Sequence, residues 1–170
     1  VKELAAKVKT LLTAFHNEWR QRYGTAFVAH CPDYFMEGGI TLSEDEVGSV
    51  SAEMFEEFFL PDLIELSERY GGIGIHCCAF ARHQWQHFAR VPGLRLINLS
   101  QRANEKRDPH YITDAYRFFA PLAVQMHEAF TVAELCAEHL PYMSPGARIV
   151  YQIETATRDE ALRACEMMRA

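Results

Sequence analysis

His76 and Cys78 stand two residues apart in the stretch GGIGIHCCAF, residues 71–80, directly behind a short β-branched run. Residues at i and i+2 on a strand share a face, so an imidazole and a thiol would lie side by side there, two of the donors that zinc takes. Catalytic zinc uses three protein ligands and leaves one position for water or substrate, so a third donor has to come from another strand. Glu154, His127 and Asp45 lie on the same expected rim, and Glu154 is taken as the third, oxygen ligand. The competing reading is plain packing, because a single histidine is commonly a hydrogen-bonded core residue and a cysteine a small buried apolar group.

Other motifs carry less. His83 and His87 are four apart on an expected helix, but Gln84 stands where an HExxH pattern has its acid, and both read as surface histidines. GGIGIH enters a strand instead of opening a helix, which argues against a dinucleotide loop, and no GxSxG elbow occurs.

The elements that must position these groups follow from periodicity. Leu4, Val8, Leu11, Leu12, Phe15 and Trp19 predict one amphipathic helix over 2–22, ending before Gly24. A strand-like AFVAH at 26–30, the loop CPDYFMEGG and an extended GITLSEDEVG follow. Ser51 should cap a helix that turns Met54, Phe55, Phe58, Phe59, Leu63, Ile64 and Leu66 inward, with Pro61 kinking or restarting it. Then come strand IGIH, helix HQWQHFARV, strand LRLINLS, a charged loop over 101–110, helix ITDAYRFF, strand PLAVQMH, helix VAELCAEHL, strand RIVYQIE and helix RDEALRACEMMR. Thr131 with Glu134 and Thr157 with Glu160 have the spacing of capping boxes.

Strands beginning near 40, 73, 94, 122 and 148, each followed by a helix, predict an α/β fold with a parallel sheet, in a single domain over residues 1–170. Five strands complete an open doubly wound sheet, whereas a (β/α)8 barrel typically takes about 250 residues, so pattern alone favours the open sheet. In both architectures ligands bind at the carboxyl ends of the strands. Asp45 and Glu46 after the first strand and Glu154 at the end of the fifth are the expected catalytic acids. Asn98, Gln125, His127 and Gln152 are the expected substrate-binding groups. For each acid the plain alternative is a helix cap or a solvated loop residue.

Composition narrows the class. At 170 residues and 49% apolar content the chain is long enough to bury a core without staples. A net charge of −6 gives no electrostatic footprint for nucleic acid, and the basic stretch from Arg90 to Arg107 reads as a solvated loop. No run approaches the roughly 20 apolar residues of a membrane span. Five cysteines, an odd number with Cys77 and Cys78 adjacent, suit reduced thiols, and the expected location is cytoplasmic.

Taken together, EDEVGSVSAEMFEEFFLPDLIEL and GGIGIHCCAFARHQWQHFARVPGLRLINLS resemble the uroporphyrinogen decarboxylase-like superfamily. The residues that carry the resemblance are Gly48, Ser51, Phe55, Phe58, Leu60 and Pro61, followed by a strand ending in His76 and Cys78. That superfamily holds the haem-pathway decarboxylase and zinc-dependent methyltransferases that move methyl groups between corrinoid proteins and thiols.

The resemblance implies a partial (β/α)8 TIM-type barrel, strands four to eight with their helices, in place of the open sheet. It implies that His76 and Cys78 match the first two zinc ligands of the methyltransferases, and that Asp45 matches the substrate-contacting loop position of the decarboxylases. The chain departs from both branches at the last strand, where YQIET replaces a third cysteine ligand or a Gly-His-Gly.

The expected activity is zinc-dependent methyl transfer to a small thiol substrate from a corrinoid protein. The alternatives are a metal-free decarboxylase or lyase, and a non-catalytic subunit that needs a partner. Two open sheet edges lead to the expectation of a homodimer or of an amino-terminal barrel segment that completes the sheet.

Overall fold

Helical periodicity at the amino terminus becomes helix α1, Lys2–Tyr23. It ends where Gly24, at a φ of 81°, donates its N–H to the Arg20 carbonyl. The computed structural model describes residues 1–25, 27–28, 36–99, 107–122, 124–131, 146 and 148–168, with the side chains of 27, 28 and 127–131 left aside. Strand β1 (Phe27–Val28), within the expected strand-like AFVAH, pairs antiparallel with β2 (Met36–Glu37), which falls in the segment expected as a loop. Strand β3 (Ile40–Ser43) then leads through a 3-10 turn, Asp45–Ser49, into α2 (Ala52–Phe58) and α3 (Leu60–Tyr70). Ser51 caps α2 by accepting the Met54 N–H, and Pro61 sits in the first turn of α3, where its missing N–H costs nothing. The expected restart of the helix at Pro61 is therefore present.

Strand β4 (Ile73–Cys77) follows. The helix expected over HQWQHFARV is a 3-10 turn, Arg82–Gln84, and a single helical turn α4, Trp85–Phe88. Strand β5 (Leu94–Leu99), α5 (Tyr111–Phe119), β6 (Gln125–Thr131), β7 (Arg148–Glu154) and α6 (Arg158–Met167) complete the series. Thr157 accepts the Glu160 N–H, and the Glu160 carboxylate reaches back to the Ala156 N–H, one residue before the cap. The helix expected over VAELCAEHL, and with it Glu134, lies outside the described residues, as does most of the charged loop after β5.

The five strands form one parallel sheet in the consecutive order β3-β4-β5-β6-β7. Its two faces differ. Ile73, Ile75 and Cys77 on β4, Ile97 and Leu99 on β5 and Met126 on β6 join Phe55, Leu63, Trp85, Phe88, Ile112 and Phe119 from the helices in one buried core. Each large apolar side chain so covered contributes roughly 1.5–3 kcal/mol. On the other face, Thr41, Gly74 and Leu96 lie in register under Met36, and toward the carboxyl ends Ser43, His76 and Asn98 form the next row.

A bulge sets that second face. Ile73 pairs with Leu94 but Gly74 pairs with Leu96, so β5 spends an extra residue, Arg95. Leu94 packs toward the helices while Leu96, two residues on, sits on the opposite side. One extra residue flips every side chain beyond it, and that flip brings Asn98 to the side of His76. Gly72, at a φ of 136°, leaves room for the bulged side chain: a Cβ there would lie 2.6 Å from Arg95 Nε.

Candidate metal centre

The carboxyl ends of β3 and β4 meet because the Glu44 N–H donates to the His76 carbonyl at 2.8 Å, extending the β3–β4 ladder by one bond. The next residue, Asp45, opens the 3-10 turn and points its carboxylate over the end of β4. Asp45 Oδ1 accepts the Cys78 N–H at 2.7 Å and lies 3.5 Å from His76 Nε2. One ligand atom from each of Asp45, His76 and Cys78 falls within 4.8 Å of the others, and these three residues could hold a metal ion.

Gly48 allows the turn to come this close. A Cβ on Gly48 would stand 2.6 Å from the Ala79 Cβ and 3.3 Å from the Phe80 carbonyl, so only glycine lets the turn press against the segment after Cys78. Gln84, fully buried, fastens the same turn from beneath by donating to the Val47 and Val50 carbonyls.

His76 is held on its other nitrogen. Its Nδ1 lies 2.5 Å from Asn98 Oδ1, so a carboxamide oxygen accepts the Nδ1 hydrogen and leaves the Nε2 lone pair facing Asp45 and Cys78. Asn98 itself is buried on β5, which restricts its rotation. The Cys78 thiol is exposed and held above its ordinary pKa, first by its hydrogen bond to Asp45 and then by partial burial. Cys77 points into the core, where burial pushes its thiol up to about 12 and leaves it chemically inert.

The expected site residues divide accordingly. Asp45, His76, Cys78 and Asn98 come together. Glu46 is exposed in the same turn and stands outside the group. Glu154 is the exposed last residue of β7, in register with Thr131 and three strands from β4. The third group of the cluster is Asp45 in its place. Gln152 lies two residues before Glu154, opposite Ala129.

Gln125 opens β6 at its amino end, paired with Leu96, and lines a cleft with Arg95 and Arg148 away from the rim. It was expected at the carboxyl end, but a 3-10 turn, Ala120–Leu122, consumes the start of PLAVQMH and shifts the strand later. His127 lies within β6 opposite Val150, and its side chain is outside the described residues. His83 and His87 have structural partners, the Val50 carbonyl at 3.0 Å and Gln84 Oε1 at 3.0 Å.

Sequence reasoning did not single out Glu44. Its half-buried carboxyl is pushed up to about 7, mainly by burial and further by Asp45 and Asp62. It lines an apolar groove with Leu42, Phe59 and Leu63 beneath α1, on the helix side of the sheet. Comparison of the chain with family models, with curated proteins and with solved structures finds no match in any of the three.

Proposed function

We propose that the chain is a uroporphyrinogen decarboxylase-like unit whose site is zinc-dependent and transfers a methyl group from a corrinoid carrier to a small thiol. One observation carries the reading: Asp45, His76 and Cys78 converge at the carboxyl ends of adjacent parallel strands, with Asn98 orienting the imidazole. One oxygen, one nitrogen and one sulfur donor fit the three-ligand set of a catalytic zinc, and an amide oxygen behind the histidine is a usual supporting contact. The methyl donor and the thiol acceptor come from the sequence resemblance.

Bound there, zinc would supply the stabilisation that keeps a thiol ionised, and so nucleophilic, at neutral pH. The chain's own residues do the positioning. Asn98 fixes which imidazole nitrogen is available, and Asp45 ties the backbone after β4 to the turn after β3. Because the Cys78 thiol is held protonated beside Asp45, it has to release its proton when a cation arrives. Zinc affinity should therefore rise with pH up to the thiol's pKa.

The consecutive strand order supports the barrel part of the reading. A doubly wound sheet reverses its order at a switch point, whereas a barrel adds each strand beside the last. Edge strands β3 and β7 would then be covered by a second copy of the chain or by a segment that completes the sheet. A metal-free lyase is the second reading, and the carboxyl of Glu44, titrating near neutrality, favours it. Glu44 faces the groove beneath α1 and not the His76 side, which places it behind the first reading.

Elemental analysis of chelator-washed, zinc-reloaded protein tests the proposal. One zinc per chain is expected, lost in Asp45→Asn, His76→Ala and Cys78→Ala and retained in Glu154→Gln. Methyl transfer from methylcobalamin to a small thiol should follow the zinc content. A parent protein without zinc, or zinc indifferent to all three substitutions, would overturn it.

A further inference from the structure

The face of the sheet away from the helical core carries a second concavity, one row of side chains nearer the amino ends than His76 and Asn98. Gln125 and Arg148 stand in register with Leu96, two residues before Asn98, and β2 lies beside them with Met36 over Gly74. Between β2 and the starts of β5, β6 and β7 is a cleft of about 570 Å³, lined among others by Met36, Glu37, Arg95, Gln125, Arg148 and Val150. Three adjacent strands thus bring an arginine, a carboxamide and an arginine to one wall.

Neither guanidinium is neutralised there. Arg95 is aimed by the bulge: its stem lies against Gly72, its Nη1 donates to the Glu37 carbonyl at 3.1 Å, and its other donors have no partner among the described residues. Arg148 forms no hydrogen bond or ion pair among the described residues. In a chain of net charge −6, two such cations in one cleft make a local positive pole. Strands β5 and β7 are two spacings apart, roughly 10 Å, a gap that two arginine side chains can close from opposite sides.

We infer that this cleft binds a small organic phosphate monoester, with Arg95 and Arg148 forking the phosphate and the Gln125 carboxamide beside it. Planar guanidinium forks match the oxygens of a phosphate, and two of them balance its dianion. The volume exceeds what one phosphate fills, which leaves Met36 and Val150 to cover an organic body. The Glu37 carboxylate on the wall would repel a second anionic group, so a monoester fits where a polyphosphate or a nucleic acid does not. The site uses none of the residues of the metal centre and holds whether or not zinc is bound.

Titration calorimetry of the chelator-washed chain with phenyl phosphate at pH 8, where the ester is a dianion, tests it. Saturable binding with a Kd on the order of 0.1–1 mM is expected, several-fold tighter than for inorganic phosphate and at least about tenfold tighter than for the monoanion benzenesulfonate. Arg148→Gln should weaken it at least about tenfold, and Arg148→Lys, which keeps the charge and loses the fork, by a smaller factor. Arg148 is exposed on the edge strand β7, so both variants keep the fold, and an unchanged melting point checks that. His76→Ala should bind phenyl phosphate as the parent does, so a failed metal centre and a failed cleft give different results. No saturation below about 10 mM, equal binding of inorganic phosphate and phenyl phosphate, or indifference to Arg148→Gln would overturn the inference, as would loss of binding in His76→Ala.

Discussion

Between Cys77 and Cys78, one step along the chain separates two thiols with opposite prospects. Strand alternation sends the first into the core and the second to the rim beside Asp45. Both are held above the ordinary thiol range, but for different reasons, burial for Cys77 and the Asp45 hydrogen bond for Cys78. Only the second cause can be removed by a surface substitution. Asp45→Asn should lower the Cys78 pKa, increase its thiolate fraction at pH 8 and speed its alkylation by iodoacetamide, while Cys77 stays unmodified in the folded protein. Peptide mapping by mass spectrometry reads both, and an unchanged Cys78 rate would show that Asp45 does not hold the thiol. His76 and Cys78 were legible as a pair because i and i+2 on a strand is a local relation. That Asp45, among the three candidates on the rim, would be their companion was not, because its approach depends on how far a turn folds over the next strand.

At the scale of elements, the turn between β3 and α2 is the part that assembles the centre. Its closeness rests on the absent side chain of Gly48, which belongs to the motif carrying the family resemblance. Gly48→Ala should force the turn away from Ala79 and Phe80, at a cost of about 1–3 kcal/mol in stability. That shift would carry Asp45 off Cys78, so zinc affinity should fall well beyond what the modest stability loss explains. Calorimetric titration beside thermal melting separates the two effects. If affinity is unchanged while the melting point drops, the turn has only a packing role. The bulge at Arg95 is a comparable device, since without it Asn98 would face the helices and His76 would lose its Nδ1 partner. Neither feature leaves a period in the sequence: a bulge is one residue out of step, and LRLINLS reads as ordinary alternation.

Across the whole molecule, stability is graded along the sheet. Every residue of β4 except His76 is buried, as are Leu96 to Leu99 of β5. All of β7 is half-buried or exposed. Amide hydrogen exchange should therefore be slowest over Ile73–Cys77 and Leu96–Leu99 and distinctly faster over Arg148–Glu154. Equal protection of β4 and β7 would mean that a partner covers the β7 edge.

What the sequence determined by itself is what short-range chemistry can encode. Apolar periodicity set α1, α3, α5 and α6, hydroxyl caps set the starts of α2 and α6, a β-branched run behind Gly72 set β4, and apolar alternation after Gly93 set β5. The repeated strand–helix order was enough for an α/β parallel sheet, and the polar residues at strand ends were enough to find His76, Cys78 and Asn98. The tertiary structure alone decided the rest. It chose the consecutive strand order, started β6 at Gln125, put Asp45 in the position expected of Glu154, and left one seam of α1 uncovered. Each of these depends on which distant segments share space. That is governed by bulges, close glycine contacts and the sum of packing over the core, terms that no window of a dozen residues contains.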